Sequence, residues 1–285
     1  MALGINTTSI ALPNEVSNEI IQKLQEGSAV MRLAQKVDLP SRGLTIPVIM
    51  GDPTPAWVSE TDKKAVSKPS LATKLMSAYT LAVIVPFSNQ FKNSAGALYD
   101  ALVQRLPLVL AKEFDRTVFG GTKSPGENFD TFEKATAQDI GTDIYKALVG
   151  ASADIAEHDG IANGFIISPQ MKSELLLAVD GNKRPLFIGT PAEGAVPTLL
   201  GAPTFQSKGA YIAGSPKVLG VVGDWSKAMY GTVNDVKIDI SDQATLDDNG
   251  TQINLWQQNM FAVRAEIEIG FRCDVSAFNK LTKAA

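Results

Sequence analysis

Between Phe261 and Asp274, apolar and polar residues alternate without a break. Phe261, Val263, Ala265, Ile267, Ile269, Phe271 and Cys273 fall on one side, and Arg264, Glu266, Glu268, Arg272 and Asp274 on the other. Successive side chains of a β-strand point to opposite faces, so the pattern predicts one strand with a buried and a wet face. At about 3.3 Å per residue it spans roughly 45 Å, far beyond the usual ~5–6 residues. Such a strand needs an equally long cover for its apolar side. Leu98, Leu102, Leu106, Leu110, Phe114 and Val118 supply one: they recur every fourth residue between Ala95 and Phe119. That spacing makes an apolar ridge on a helix of about seven turns. Gly120-Gly121 stops it. Pro107 lies inside the helix and leaves the carbonyl of Val103 without its donor. The ridge continues through it, so the helix is expected to bend rather than end.

The rest of the chain divides around these two elements. Residues 1–12 form a small, polar tail. Val16, Ile20, Ile21 and Leu24 then make a helical stripe that stops at Gly27, and a second short turn runs from Ala29 to Val37. Their apolar side is thin, so this arm needs a partner surface. From Leu44 the period changes to that of a strand. Leu44 to Pro86 is expected to be a long two-stranded excursion, with a Pro-broken outward run through Trp57 and a charged tip at Glu60, Asp62, Lys63 and Lys64. The return, Leu71 to Pro86, alternates through Tyr79, Leu81, Val83 and Val85. A lone hairpin is marginal in water, so this one must lie on something. Thr136 with Asp139 resembles a capping box before helices marked by Ile140, Ile144, Leu148 and Ile155. Phe165-Ile-Ile167 is an apolar strand, and Ser168-Pro169 opens another helix. This is an α/β subdomain, followed by short strands and a turn at Asp247 to Gly250. The whole is α+β, with no internal repeat.

The search for chemistry returns little. Net charge is −4, which disfavours a nucleic-acid reader with a basic stripe. The single cysteine, Cys273, sits on the apolar face of the long strand and suits a buried hydrophobe in a reducing cytoplasm. The longest apolar run, Leu81 to Phe87, is too short to span a bilayer, and no signal peptide is visible. The single histidine, His158, falls at a predicted helix end, so a nucleophile–histidine site is nearly excluded. Gly121 to Gly126 has the spacing of a phosphate loop, but Glu127-Asn128 stands where Lys-Ser/Thr is required. Thr245 to Trp256 mimics a calcium loop without its terminal carboxylates. Glu266 and Glu268 look like a carboxylate pair, yet they alternate with Arg264 and Arg272, as a solvated or subunit-facing charged face does. Trp57, Trp225 and Trp256 are interface anchors or core residues. No catalytic residue, metal site or cofactor is expected, and a building block fits better than an enzyme.

An ordered series of short motifs runs through the chain: Ile46-Pro-Val, Ala56-Trp57-Val58, Ala82-Val-Ile-Val-Pro86 and Asp115-x-x-Val-Phe-Gly-Gly121. It continues through Phe165-Ile-Ile-Ser-Pro169, Leu200-Gly-Ala-Pro203, Val222-Gly-Asp-Trp225 and Phe261-x-x-Arg-Ala-Glu-x-x-x-Gly-Phe271. The series resembles the major capsid proteins of tailed bacteriophages, with the Hong Kong 97-type fold. The resemblance implies an N-terminal arm (1–43), an extended E-loop hairpin (44–86) and a P-domain with the spine helix (87–134). An A-domain (135–221) and the long strands of the P-domain (222–285) would follow. It implies pentamers and hexamers closing into an icosahedral shell around double-stranded DNA held without sequence-specific contacts, away from membranes. It places the protein in the virion, assembled in the host bacterial cytoplasm. A scaffolding protein would be separate unless this is a cleaved form, with portal and decoration proteins as further partners. Assembly contacts would come from Trp57, Glu60, Asp62, Lys63, Lys64, Arg264, Glu266, Glu268 and Arg272. Spine helices of this family straighten on shell expansion, which would give the Pro107 kink a use. Some relatives cross-link an E-loop lysine to an asparagine, here Lys63 or Lys64 with Asn249, Asn254 or Asn259. Two rivals stand beside this reading: an encapsulin-type nanocompartment of the same fold, and an α/β hydrolase working through carboxylates.

Overall fold

In a computed structural model of the protein, the alternating segment is one strand of 14 residues, β14 (Met260–Cys273). The structure describes residues 24, 27–40, 43–50, 57–58, 63–64, 70–89, 95–141, 143–187, 198–233, 236–248 and 250–284. For 45–50, 70–73 and 95–104 it describes the backbone alone. The stripe Val16 to Ile21 and the tip residues Glu60 and Asp62 lie outside the described residues.

Every odd-numbered residue of β14 from Phe261 to Cys273 is buried, while Arg264 is exposed and Glu266, Glu268 and Arg272 are half-buried. β4 (Tyr79–Ser88) runs antiparallel along one edge, from Met260↔Ser88 to Ile269↔Tyr79. Along the other edge β10 (Ala228–Thr232) and β11 (Lys237–Ser241) follow one another, pairing with the two halves of β14. A short strand, β1 (Gln35–Asp38), adds in parallel to β10. The cover is helix α2 (Ala95–Val118), which follows α1 (Ala29–Leu33). Leu106, Leu110, Phe114 and Val118 of its ridge are buried in the same cluster as the inner face of β14. The side chains of Leu98 and Leu102 lie outside the described residues. Helix α2 runs unbroken through the buried Pro107. It ends at Gly120, whose φ of 85° lets the Gly121 N–H reach back to the Arg116 carbonyl at 2.8 Å.

Three expectations are corrected. The return run Leu71 to Pro86 is two strands with different partners. β3 (Ser70–Met76) pairs with β2 (Leu44–Met50) in a free two-stranded sheet, whereas β4 joins the long sheet. The turn read from Ala29 to Val37 stops at Leu33, because Gln35 to Asp38 find strand partners on β10. Thr136 to Asp139 do not cap a helix. They form strand β5 against Asn279 to Thr282 of β15 (Phe278–Lys283). The helix begins later, as α3 (Ile144–Glu157), with the Asp143 carboxylate accepting from the Lys146 N–H at 3.1 Å.

The α/β subdomain is a six-stranded sheet in the order β5-β15-β9-β6-β8-β7. Its strands β6 (Gly164–Ile167), β7 (Thr198–Leu199), β8 (Ala202–Gln206) and β9 (Lys217–Gly223) pack with α3 and α4 (Pro169–Leu177) around a second core. The chain's end therefore returns to this sheet rather than to the long strands: Phe278 stacks 4.7 Å from Phe132, and Leu281 is buried in the second core.

Two crossings join the sheets, and they share a design. β9 passes into β10 through Asp224-Trp-Ser226, and β14 passes into β15 through Asp274-Val-Ser276. In each, the aspartate accepts from the N–H and hydroxyl of the serine two residues on. The Asp224 N–H donates to the Ala277 carbonyl at 3.0 Å, and the Asp274 N–H to the Lys227 carbonyl at 3.1 Å. The crossings thus hold each other. A hairpin of β12 (Thr245–Asp248) and β13 (Thr251–Asn254) leads into β14.

Pro107 gives a stability test. Helix propensity favours alanine over proline by about 3 kcal/mol, and losing the buried ring takes back roughly 1–2 kcal/mol. Pro107→Ala is expected to raise unfolding free energy by about 1–2 kcal/mol in denaturant titrations, with a straighter helix axis over residues 100–112 by cryo-microscopy. An unchanged axis would leave the proline a passive kink.

Candidate assembly surfaces

The β2–β3 hairpin pairs only with itself. Trp57 is fully exposed and Val58 exposed beside it, with Lys63 and Lys64 exposed further along. Burying a tryptophan removes roughly 150–250 Å² from water, worth on the order of 4–6 kcal/mol. Trp256, after the β12–β13 hairpin, is likewise 71% exposed, whereas Trp225 is a core residue packed on Phe132 and Phe278.

The wet face of the long sheet carries a compact charge network. Register places Lys237 opposite Glu266 and Asp239 opposite Arg264. Arg264 donates to Asp239 and lies 3.5 Å from Glu266, while Lys237 lies 3.5 Å from Asp239 and 3.8 Å from Glu266. Two cations and two anions cancel, so this patch of the face is paired within the chain. Arg264 holds the Asp239 carboxyl below its ordinary value by hydrogen bonding, against the opposing effect of burial. A folded value below the unfolded one of about 3.9 means that this stabilisation is complete above that pH. It is lost as pH falls through the folded value. Asp239→Asn is therefore expected to cost about 0.2–1 kcal/mol at neutral pH, and the gap to the parent should close on acidification below the unfolded carboxylate range. Denaturant melts across pH check it; a pH-independent gap would contradict the assignment.

Arg272, expected on a solvated or subunit-facing charged face, is held by groups of its own chain. It is half-buried, and its guanidinium is spent within the chain. Nε donates to the Leu75 carbonyl at 2.7 Å, Nη1 to Asp130 Oδ1 at 2.8 Å and Nη2 to Asn128 Oδ1 at 3.0 Å. Alternation alone puts it on the wet face and is silent about what covers that face. Glu268 lies on the same face, opposite Thr80 of β4. The asparagines proposed for cross-linking are tied locally: Asn254 Oδ1 accepts from the Gln257 N–H and Asn259 Oδ1 from Asn89 Nδ2. Asn249 lies outside the described residues.

Sequence reasoning missed Asp115. It lies on α2, wholly buried, and gathers two distant segments to that helix. Ser28 Oγ donates to it at 2.5 Å and Ser207 Oγ at 2.6 Å; the Ala29 N–H at the start of α1 donates at 3.1 Å. Burial pushes its carboxyl above the ordinary range, and these donors pull it back only in part. The one available signal was an acid on the helical face that carries Ala111, Phe114 and Val118. Asp115→Ala would strand buried donors, so a loss of about 3–5 kcal/mol is expected, with Asp115→Asn intermediate. Thermal unfolding of both variants checks it, and an unchanged alanine variant would refute the role.

His158 caps α3, its Nδ1 2.8 Å from the Asp154 carbonyl, as a helix-end histidine does. Cys273 is buried, and burial pushes its thiol well up, which leaves it a hydrophobe. Among the described residues no group of three or more His, Cys, Asp or Glu could hold a metal ion, and no helix is long and apolar enough to cross a membrane.

The profile of the Phage capsid family matches residues 8–282. The chain belongs to the phage capsid family. This phage capsid family member is 29% identical to the "probable major capsid protein gp17" of Mycobacterium phage L5, over 98% of its own length and 94% of the relative's. It is 25% identical to the major capsid protein of Staphylococcus phage 80alpha, over 96% and 85% of the two chains. A solved chain from Mycobacterium phage Bobi has the same fold, with a TM-score of 0.73 at 20% identity over 100% and 95% of the chains. One from Gordonia phage Cozz gives 0.73 at 19% identity over 90% and 87%. The architecture described above is thus the Hong Kong 97-type capsid fold. Family membership favours neither rival of the sequence reading.

Proposed function

We propose that this chain is a major capsid protein whose copies build the closed shell of a phage head. The observation that carries the reading is the β2–β3 hairpin, with Trp57 in solvent, on a chain of the phage capsid family. A hairpin that pairs with itself and shows its largest apolar residue to water gains stability when it lies on another copy. In this reading, residues 44–76 are the E-loop, the long sheet with α2 is the P-domain, and the six-stranded sheet with α3 and α4 is the A-domain. Pentamers and hexamers make up the shell, and double-stranded DNA fills it. A net charge of −4 supports such a container, since many lysine and arginine contacts to phosphate would hinder packing and release. Scaffolding, portal and decoration proteins are the remaining partners, and assembly takes place in the host cytoplasm. Lys63, Lys64 and Arg264 stay exposed for contacts between copies. Glu60 and Asp62 are proposed as further tip contacts. Each such contact is modest, and a shell gains its stability from their number.

Removing residues 51–69 and closing the hairpin with a short glycine turn tests this. The shortened subunit is expected to keep its far-ultraviolet dichroism and cooperative melt, and to lose closed shells in sedimentation and electron microscopy. Normal shells from the shortened chain would refute the hairpin's role between subunits. Nuclease-protected DNA inside shells formed in infected cells separates a phage head from a protein-filled compartment.

A further inference from the structure

The hairpin leaves the molecule at a point where the wet face of the long sheet is not wet. Gly231 of β10 and Gly270 of β14 are direct cross-strand partners. Gly270 belongs to the even-numbered, outward series of β14, yet it is buried. What covers it is the foot of the hairpin. Met76, the last residue of β3, is 0% exposed, although the hairpin beyond it pairs only with itself. A Cβ on Gly270 would lie 3.0 Å from Met76 Cγ and 2.6 Å from the Ser77 carbonyl. A Cβ on Gly231 would lie 2.9 Å from Met76 Sδ and 2.5 Å from Leu39 Cγ. Two facing positions without side chains thus make a pit one side chain deep, and Met76 and Leu39 fill it. Any larger residue at either glycine would expel them.

The other foot is held as closely. Leu44, which opens β2, pairs with Met76. Gly43 before it has a φ of 99°, and a Cβ there would lie 2.7 Å from the Met76 carbonyl. Beside the pit a polar clamp grips the same strand end. Arg272 binds the Leu75 carbonyl, and Lys74 Nζ donates to the Cys273 carbonyl at 3.1 Å. Asp130 joins these two cations, 2.8 Å from Arg272 and 3.7 Å from Lys74.

We propose that this socket is a positioning device for assembly: Met76, seated in the Gly231–Gly270 pit, sets the angle at which the hairpin projects to meet a neighbouring copy. The proposal rests on the reading of the hairpin as an intersubunit element. Leverage makes the angle matter. The paired part of the hairpin is 7 residues long and extends roughly 23 Å from its foot. A tilt of about 10° at the foot moves its far end by roughly 4 Å over that length. That is about the spacing of neighbouring strands, enough to lose a docked contact. Methionine suits the seat because its unbranched thioether adapts to an irregular hole. Arg272 and Met76 are thus positioning residues that act through the hairpin.

Met76→Ala, which empties the pit without a clash, is the first test, with Met76→Leu as the variant that refills it. Hydrogen exchange of the unassembled subunit reads the hold on the hairpin. Micrographs of assembled particles read its consequence. Met76→Ala is expected to keep the cooperative melt, to speed exchange over residues 44–50 and 70–77 by about tenfold, and to give open sheets or mixed diameters. Met76→Leu is expected to restore uniform shells and slow exchange. Gly231→Ala reaches the same seat from its other wall and should reproduce the alanine phenotype should Met76→Ala fold poorly. Unchanged exchange in Met76→Ala and Gly231→Ala overturns the socket, and so do uniform wild-type shells despite faster exchange. The hairpin-shortened chain, whose foot is intact, separates the two proposals. Normal shells from it would refute the intersubunit reading and with it the assembly role, while exchange at the foot would still report whether Met76 is seated.

Discussion

Burial of one face of β14 is the interaction on which the rest of the structure depends. Its inward residues, from Phe261 to Cys273, are all buried against the ridge of α2 and the aromatic groups around it. Each large apolar side chain contributes roughly 1.5–3 kcal/mol on full burial, so a few of them match a whole domain's net stability of about 5–15 kcal/mol. The burial also fixes register. A slip of one residue would turn the apolar face into water and bring Arg264, Glu266 and Glu268 inside. With β14 fixed, β4, β10 and β11 inherit their places through paired backbone groups.

The same strand carries order from one sheet to the other. Phe271 lies in an aromatic group with Phe114, Phe129 and Phe132, and Phe132 in turn contacts Trp225 and Phe278 at the crossings. The two Asp-x-Ser turns keep the backbone groups of those crossings satisfied where the chain leaves one ladder for another. Asp115 adds the third tie, from the spine helix to the arm and to Ser207 beside β8. The result is a body in which core burial supplies stability and a few buried polar groups fix orientation. The parts left over are the hairpin, which pairs only with itself, and the exposed Trp57 and Trp256.

Much of this was legible in the sequence because periodicity encodes which face of an element is dry. The alternation from Phe261 to Cys273, the four-residue ridge of α2 and the α/β character of residues 144–223 all follow from spacing alone. Spacing does not encode partners. Gln35 to Asp38, Thr136 to Asp139 and the split of Leu71 to Pro86 into β3 and β4 were decided by strands far away in the chain. Arg272 shows the same limit at a single residue: spacing gave its face, and Leu75, Asn128 and Asp130 came to it from distant parts of the chain. Asp224-Trp-Ser226 and Asp274-Val-Ser276 are too short a recurrence to be seen as a repeat before the sheets are known.

The sequence by itself therefore determined the long amphipathic strand, its helical cover and a chain with projecting, unpartnered surface. Each of these is a local pattern of side chains along one backbone. Tertiary structure alone decided that Asp115 would sit among donors 87 and 92 residues away at Ser28 and Ser207. It alone brought Gly231 opposite Gly270 to make a seat for Met76. A glycine in a strand or an acid in a helix has no signature of its own. Its meaning comes from what the fold packs against it, and that is set by the shape of the whole core.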